Sequence, residues 1–424
     1  MSGRAISEGT DMLAEGRTRL ADSLRVGGWR ASASVSEAFH AVPRHVFVGG
    51  VPAELAYKDA AIVIKSDADG LPVSASTRPA LMAIMLEQLR LAAGHRVLEI
   101  GTGSGYNAAL IAQIVGASGS VVTIDVEPDL VDQARARLAA AGFADVTVVC
   151  GDGADGVPSH APYDRIIVTA GVWDLAPQWL AQLRGNGRIV APVSVRGIQL
   201  AVAFESAGTH WVGRQACRCQ FIRMTGLSAG PETVVPLGPQ PGLHALVADG
   251  AAPEPCPLYE ALSGPAMDVP VPPGLRVDGI AELADMDLWL ALTEPRLSRL
   301  NIMGRHEGHA YPAQRPIAGR MRLGGFARYD SAGRLGVAAL AVPHGLAQND
   351  RPHGVAIHGY GPGGAALAGH LAERTAVWDG LGRPRADNLG LAAYPVGTRP
   401  KALEGRMIIR RPNTVLVAGW ATPA

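Results

Sequence analysis

The sequence has little of several features that mark specialised classes of protein. Its 424 residues hold 38 basic and 38 acidic side chains, so the chain carries no formal net charge. Without an excess of positive charge, a general attraction to nucleic acid or to an anionic membrane is not expected. Only four cysteines are present, which excludes a disulfide framework. We therefore expect free structural thiols and a reducing compartment.

Long hydrophobic runs are also missing. The first residues, MSGRAISEGTDMLAEGR, include acidic side chains and no apolar stretch of signal-peptide length. No later run is long enough to cross a bilayer. These absences predict a cytoplasmic protein that has neither nucleic acid nor a membrane as a partner. They leave the oligomeric state open.

What is present is the composition of a globular protein, with 48% hydrophobic residues. Between residues 79 and 226, apolar runs of strand length such as HRVLEI and SVVTID alternate with helical patterns such as EPDLVDQARARLAAA. This alternation is typical of βαβ crossovers, and it predicts an α/β fold with a Rossmann-like sheet. The last apolar runs follow one another without a helix, so we expect antiparallel strands at the end of that sheet.

After Gly226 the sequence becomes rich in proline and glycine, with strand-like pieces and two helical pieces. A chain of this length exceeds one ordinary core, so several domains are expected. We predict an N-terminal helical and substrate-side segment at 1–78, a cofactor-binding core at 79–230 and a smaller α+β accessory domain at 231–424. The accessory domain is a candidate for binding a peptide.

A glycine-rich loop follows the first predicted strand in VLEIGTGSGYNAAL. Its residues are Gly101, Thr102, Gly103, Ser104 and Gly105. Glycines allow a tight turn and let a ligand lie against bare backbone. In an open parallel sheet such a loop lies at the carboxyl ends of the strands, where ligands bind. Nicotinamide and flavin enzymes carry similar loops, so the loop alone does not identify the ligand.

Acidic residues near the loop narrow the choice of ligand. Asp125, followed by Val126, ends the second strand, where its carboxylate can accept hydrogen bonds from both ribose hydroxyls. Asp152 ends the third strand and can accept from an adenine amino group, while Gly153 leaves room for the ring. Glu99 precedes the loop, where a carboxylate can face an ammonium group. Together they describe an adenosine with a charged amino-acid tail and no pyrophosphate, which is S-adenosylmethionine, with S-adenosylhomocysteine as product.

Each acid also has a structural alternative. Asp125 could cap the helix that begins near Pro128, and Asp152 could stabilise a turn. Their order along one sheet favours the binding role.

The segments around these residues resemble the protein-L-isoaspartate O-methyltransferase family over the first 226 positions. The matching segments are AFHAVPRHVF (38–47), AYKD (56–59), SASTRP (74–79), VLEIGTGSGYNAA, GDG, APYDRIIVTAG (161–171), GNGRIVAPV and FIRMTG (221–226). The resemblance implies transfer of a methyl group from S-adenosylmethionine to a peptide carboxylate.

The resemblance also implies roles for single residues. Thr77 falls where most members have the active-site serine, and Thr225 falls near a cofactor contact. Ser74, Ala75 and Ser76 would line the same wall as Thr77, with the first two on the cofactor side.

A carboxylate with a pKa of ~3.9 is already ionised near neutral pH, so it needs alignment rather than a general base. We assign Thr77, and Ser76 as second choice, to orient the carboxylate, and Arg78 as a hypothetical anchor for it. Alternatively, the hydroxyls of Ser74, Ser76 and Thr77 merely cap the helix that begins near Pro79.

The second half is similar to an actinobacterial branch of this family that modifies ribosomally made lanthipeptides or graspetides. The similar segments are DMDLW (285–289), GYGPGG (359–364), Trp378 and GRP (382–384). This likeness implies that the partner is a modified precursor peptide, in which an aspartate becomes an ester, then an aspartimide, then isoaspartate. Two alternatives stay open: repair of isoaspartyl damage in many proteins, and a nicotinamide-dependent oxidoreductase or silent adenosine binder.

One segment has the appearance of a metal site. RHEGH (305–309) places one residue between glutamate and the second histidine, whereas the zinc signature needs two. We therefore predict no metal.

Overall fold

The structure is a computed structural model of the chain. It describes residues 2–24, 31–68, 70, 72–225, 229–237, 244–247, 252–271, 275–294, 296–306, 309–311, 325–341, 353–400 and 406–420. The α-helices are α1 (Ser2–Ser23), α2 (Ala33–Ala41), α3 (Arg44–Phe47), α4 (Ala53–Ala56), α5 (Pro79–Leu89), α6 (Tyr106–Val115), α7 (Pro128–Ala140), α8 (Pro177–Gln182), α9 (Pro255–Ser263), α10 (Ile280–Thr293) and α11 (Gly364–Gly380).

The strands alternate with these helices in the first half of the chain and dominate the second half. They are β1 (Ile62–Ser66), β2 (Pro72–Ser76), β3 (Arg96–Ile100), β4 (Ser120–Asp125), β5 (Thr147–Cys150), β6 (Tyr163–Val168), β7 (Leu183–Val195), β8 (Ile198–Ser206), β9 (Trp211–Cys219), β10 (Thr233–Pro236), β11 (His244–Val247), β12 (Met267–Val269), β13 (Arg276–Val277), β14 (Ser298–His306), β15 (His309–Tyr311), β16 (Gly325–Tyr329), β17 (Leu335–Ala341), β18 (His353–Gly354), β19 (Ala356–Tyr360), β20 (Gly390–Pro395), β21 (Met407–Arg410) and β22 (Thr414–Gly419).

The main sheet has ten strands in the order β21-β22-β20-β9-β8-β7-β6-β3-β4-β5. Pairing is parallel from β7 through β6, β3 and β4 to β5, and it is antiparallel between β7, β8 and β9. The Rossmann-like α/β sheet and its antiparallel end, both predicted from the pattern of apolar runs, are confirmed. Strand β3 is buried among its neighbours. Its run VLEI is apolar apart from Glu99, whose carboxyl group accepts hydrogen bonds.

The last strands of the chain return to this sheet. Strand β20 pairs with β9, and β22 lies between β20 and β21. The approach is close at Gly213, where an added Cβ would lie 2.8 Å from the Cβ of Leu391. Residues on both sides of position 230 therefore share one sheet, and the domain boundaries given above stay predictions.

The intervening residues build a second, antiparallel sheet in the order β10-β11-β14-β16-β17-β19-β12, with β15 added to β14. Side chains of α9 and of one face of β17, including Leu258, Val337 and Ala339, share a cluster. The opposite face carries Ala338 and Leu340, which pack in the same core as Leu371 of α11. This region is α+β and rich in sheet, as predicted.

Helix α10 of the second region packs on the β7–β8 hairpin of the first. Two left-handed residues, Arg196 (φ 52°) and Gly197 (φ 73°), form the hairpin turn, as a tight two-residue turn requires. Arg196 donates hydrogen bonds to the carbonyl oxygens of Ala291 and Leu297, at 3.1 and 2.7 Å. The two regions are thus joined by directional contacts. Among the described residues, no helix is long and apolar enough to span a membrane.

Candidate active site

The glycine loop lies at the carboxyl edge of the parallel strands, where the strand order reverses around β3. Gly101, Gly103 and Gly105 have φ angles of 97°, 50° and 86°, in the region that side chains rarely adopt. At Gly101 an added Cβ would also lie 2.7 Å from the Thr169 hydroxyl. The loop therefore exposes backbone where a ligand can lie close to it.

The two hydroxyl residues of the loop turn their side chains inward. Thr102 Oγ1 lies 2.8 Å from Thr123 Oγ1, and Ser104 Oγ accepts a hydrogen bond from the backbone N–H of Tyr106 at 3.3 Å. Both side chains are buried. Their predicted part in cofactor binding stays a prediction, and it would rest on their backbone atoms.

The predicted ribose-binding acid lies beside the loop. Asp125 Oδ2 accepts from the N–H of Gly103 at 2.9 Å, and Oδ1 accepts from the N–H of Glu127 at 3.2 Å. Glu127 directly precedes α7, so Asp125 stabilises the turn that leads into this helix, and its predicted contact with the ribose stays a prediction. The next residue, Val126, is 53% exposed and offers an apolar surface beside the carboxylate.

The predicted adenine-binding acid follows β5. Asp152 is exposed, and its Oδ1 accepts from the N–H of Ala154 at 2.8 Å. Gly153 has no space for a side chain, because an added Cβ would lie 2.7 Å from Ile100 Cγ2. The same point lies 3.5 Å from the Met224 methyl group, so Met224 lies at this end of the site. The next residue, Thr225, is exposed.

Glu99 lies beneath the loop and is completely buried. Its Oε1 accepts from the Asn107 amide at 2.8 Å, and its Oε2 accepts from the Thr123 hydroxyl at 2.7 Å. Burial raises the pKa of Glu99 to about 7, against the opposing effect of these two hydrogen bonds. The predicted contact with an ammonium group therefore stays a prediction, since protein donors already reach both oxygens.

The predicted acceptor wall is strand β2, paired with β1 in a hairpin. It approaches the cofactor loop closely, because a Cβ added to Gly103 would lie 3.4 Å from Ser74 Oγ and 4.0 Å from the Ala75 carbonyl oxygen. Ser76 is 2% exposed, and its Oγ has no hydrogen-bond partner. Buried hydroxyls are rarely left unpaired, so Ser76 Oγ has hydrogen-bonding capacity that the protein does not use. Thr77, half-exposed, follows directly.

A buried arginine, to which the sequence analysis assigned no role, holds this wall in place. Arg44 donates from Nη1 to the carbonyl oxygens of Ala56 and Lys58, each at 3.0 Å. From Nη2 it donates to those of Ala60 (3.0 Å) and Thr77 (3.2 Å). The only sequence signal was an arginine inside the largely apolar segment AFHAVPRHVF.

Asp59 is a second positioning residue that sequence reasoning missed. Its Oδ1 accepts from the N–H of Ala80 at 2.9 Å, and so it satisfies the first turn of α5. The residue before α5, Arg78, makes no side-chain cap, and it instead pairs with Asp59 through Nε at 2.7 Å. The alternative in which Ser74, Ser76 and Thr77 cap this helix is therefore wrong.

The hairpin is also tied to the adenosine side of the site. Lys65 on β1 donates to Glu127 Oε2 at 2.5 Å and to Asp129 Oδ1 at 2.6 Å. Both acids lie at the start of α7, directly after Asp125 and Val126. The hairpin thus spans from the acceptor wall to the predicted ribose site.

No group of three His, Cys, Asp or Glu side chains within the described part of the chain could hold a metal ion. The RHEGH segment includes residues 307 and 308, which lie outside the described residues. The cysteines Cys150, Cys217, Cys219 and Cys256 are free thiols.

Comparison with known proteins shows which family and which solved structures this chain is similar to. The family model for protein-L-isoaspartate(D-aspartate) O-methyltransferase matches residues 15–229. A protein-L-isoaspartate O-methyltransferase of Methanopyrus kandleri is 41% identical over 223 residues, which cover 52% of this chain and 96% of the relative. One of Thermotoga maritima is 37% identical over 195 residues, covering 45% of this chain and 61% of the relative. Among solved structures, a protein-L-isoaspartate O-methyltransferase aligns with 89% of this chain and 96% of its own, at 23% identity and a TM-score of 0.48.

Proposed function

This chain belongs to the protein-L-isoaspartate(D-aspartate) O-methyltransferase family, and from that premise we propose that it methylates an aspartyl-type side-chain carboxylate of a peptide. Membership makes it a carboxyl O-methyltransferase that uses S-adenosylmethionine. The finer proposal concerns the peptide, which we take to be a constrained, ribosomally made precursor.

The site has the features that this methyl donor needs. Bare glycine backbone, the carboxylate of Asp125 and the exposed face of Val126 offer contacts for the loop-facing tail, the ribose and the adenine. Asp152 and Gly153 would hold the far edge of the ring. S-Adenosylmethionine supplies a methyl group on a positively charged sulfur, and no second cofactor is required.

The single observation that carries the proposal is the position of the acceptor wall. Ser74 and Ala75 lie against Gly103 of the cofactor loop, and the unpaired hydroxyl of Ser76 and the half-exposed Thr77 follow on the same segment. A carboxylate that accepts hydrogen bonds from these hydroxyls lies next to the donor. No general base is needed because the carboxylate is already ionised, so the task of the wall is alignment.

Arg44 and Asp59 keep the wall rigid from behind. Arg44 fixes the carbonyl oxygen of Thr77, and Asp59 fixes both Arg78 and the first turn of α5. A rigid wall matters because small displacements of a reacting group cost large factors in rate. Arg78 has one nitrogen committed to Asp59, and we propose that the remainder of its guanidinium neutralises the incoming carboxylate.

Two features support a constrained peptide as the substrate. The resemblance places Thr77 where most members have serine, and the chain continues for almost two hundred residues beyond the family match at 229. In such a peptide the ester replaces a poor leaving group by methoxide. The next backbone nitrogen then attacks the ester carbonyl and expels methanol to give the aspartimide, which water opens to isoaspartate. The second candidate is methylation of isoaspartyl residues in damaged proteins for their repair; the relatives are named as protein-L-isoaspartate O-methyltransferases.

Two substitutions of one residue test the acceptor wall. Thr77→Ala is expected to lower kcat by about 100-fold, because an oriented hydrogen bond to the reacting group is lost. Thr77→Ser keeps the hydroxyl and should retain activity within about threefold. Donor affinity, measured by calorimetry, should stay within severalfold in both variants. Undiminished turnover in Thr77→Ala would remove Thr77 from the mechanism.

A competition between two peptides tests the substrate. One is a linear isoaspartyl peptide and the other a macrocyclic aspartyl peptide, and methyl gain followed by loss of methanol is monitored by mass spectrometry. We expect a higher kcat/KM for the macrocycle. A strong preference for the linear peptide would favour repair instead.

A further inference from the structure

We propose that the turn at 411–414, between β21 and β22, is a positioning element that fixes the Trp173 side of the peptide-binding cleft. The inference rests on the proposed function, because it concerns the same acceptor side of the same site. It gives the last strands of the chain a task in substrate recognition.

The loop that this turn contacts lies on the acceptor side of the sheet edge. Strand β6 pairs with β3 on the side opposite β4, and Ile100 is level with Val168. The residues after Val168 therefore emerge at the same edge as the glycine loop. The predicted donor groups follow β3, β4 and β5, so the proposal places the acceptor peptide on the β6 and β7 side of this edge. Trp173 is half-exposed there, and Gly230 lies against its side chain.

Asp174 connects the loop to the turn. Its Oδ1 accepts from the Thr414 hydroxyl at 2.6 Å and from the N–H of Leu175 at 2.8 Å. Its Oδ2 accepts from the backbone N–H groups of Asn413 and Thr414, at 2.6 and 3.2 Å. The carboxylate is buried and receives four hydrogen bonds, three of which come from a turn more than two hundred residues away in sequence. Hydrogen bonds to a buried carboxylate are among the strong ones.

Arg411 supports the same loop from the other end of the turn. Its guanidinium donates to the carbonyl oxygens of Trp173 and Ser194, and its Cζ lies 4.4 Å from the centroid of the Trp173 ring. It is 6% exposed. The turn itself is closed by a hydrogen bond from the N–H of Arg411 to the carbonyl oxygen of Thr414 at 2.9 Å.

These contacts fix both the backbone and the ring of Trp173 without involving the donor site. The half-exposed indole is the surface that a peptide residue next to the acceptor carboxylate would meet. Loosening the turn should therefore weaken peptide binding and leave donor binding unchanged. A purely structural role would instead lower stability and affect both ligands alike, or neither.

Three variants of the full chain separate these outcomes. Thr414→Val removes the hydroxyl donor at similar volume, and Thr414→Ser restores it. Asn413→Ala is the matched control, because Asn413 contributes a backbone N–H that alanine retains. We expect KM for the methylated peptide to rise about tenfold in Thr414→Val, with kcat within about twofold and donor Kd unchanged. Thr414→Ser and Asn413→Ala should match the wild type.

Trp173→Ala provides a second readout that does not perturb the buried carboxylate. It should raise KM about as much as Thr414→Val, and combining the two should add little, since both act through one surface. An unchanged KM in Thr414→Val and Trp173→Ala, with an active wild type, would overturn the role of the turn and leave the proposed function intact. Failure of the wild type to methylate any peptide would instead overturn the proposed function, on which the inference depends.

Discussion

At the scale of single residues, the site is organised around a buried carboxyl group. Glu99 binds the start of α6 through Asn107 and the middle of β4 through Thr123. It thereby joins the elements on either side of the glycine loop. Because burial raises its pKa from 4.5 to about 7, the folded protein holds a proton there that the unfolded chain releases at lower pH.

The consequence is a stability that depends on pH. A carboxyl whose pKa is raised by folding stabilises the fold fully below about 4.5, and this contribution is lost as pH rises to about 7. Glu99→Gln cannot ionise, so the decline of stability across this window, about 3 kcal/mol for the wild type, should be much smaller in the variant. Urea unfolding at several pH values measures it. Parallel pH profiles for the two proteins would contradict the assignment.

Residue-level features were predictable from sequence where they depend on neighbours in the chain. The glycines of the loop and the acids at the ends of β4 and β5 belong to local strand–turn–helix patterns, and they occupy the expected edge of the sheet. Arg44 and Asp59 were missed because their partners lie 12 to 33 positions away. No local pattern reveals such a partner.

At the scale of elements, the β1–β2 hairpin is the part that, in the proposed mechanism, adds the acceptor wall to the donor site. Alone, a two-stranded hairpin is marginally stable. Here Arg44 holds the chain at the end of β2, and Lys65 of β1 holds the hairpin to the acidic side chain of Glu127 at the start of α7. The position of the hydroxyl wall thus depends on contacts made outside the hairpin.

Arg44→Met should destabilise the protein by about 3–5 kcal/mol, because four carbonyl oxygens lose a charged donor and the buried ones have no water to replace it. Arg19→Met, at an exposed position on α1, is the control and should change stability by less than about 0.5 kcal/mol. Chemical denaturation compares the two. Equal stability of both variants would show that Arg44 does not support the wall.

At the scale of the whole molecule, the two sheets are not independent. Asp287 of α10 is fully buried and accepts from Arg299 at 2.7 Å and from Arg218 of β9 at 3.4 Å. Burial lowers the pKa of Arg218, and the carboxylate opposes that effect. The cluster connects the methyltransferase sheet to the second region, and the pairing of β20 with β9 connects them again.

Asp287→Ala should therefore cost about 3–5 kcal/mol, since it leaves buried guanidinium groups without their carboxylate. Asp278→Ala, at an exposed position just before α10, should be nearly neutral. Thermal and urea unfolding should both report a single transition for the wild type. A neutral Asp287→Ala variant would show that this cluster of charged side chains does not hold the regions together.

The return of the chain to its first sheet was not predictable from the pattern of residues. The run TVLVAG has the composition of a strand and is one of the strand-like pieces predicted after Gly226, whereas the run GLAAYP was not predicted as a strand. Strand β20 covers the edge of β9, which any strand of suitable length could cover, and β22 then pairs with β20. Pairing of this kind depends on backbone hydrogen bonds between segments distant in sequence, which carry no local signature.

The central claim is that the carboxyl edge of β3, β4 and β5 binds S-adenosylmethionine through bare glycine backbone and Asp125. Calorimetric titration of the full chain with S-adenosylmethionine and, separately, with NADH tests it most directly. We expect saturable binding of S-adenosylmethionine, at least about tenfold weaker in Asp125→Ala, and no heat from NADH. Binding of NADH with no heat from S-adenosylmethionine would contradict the account.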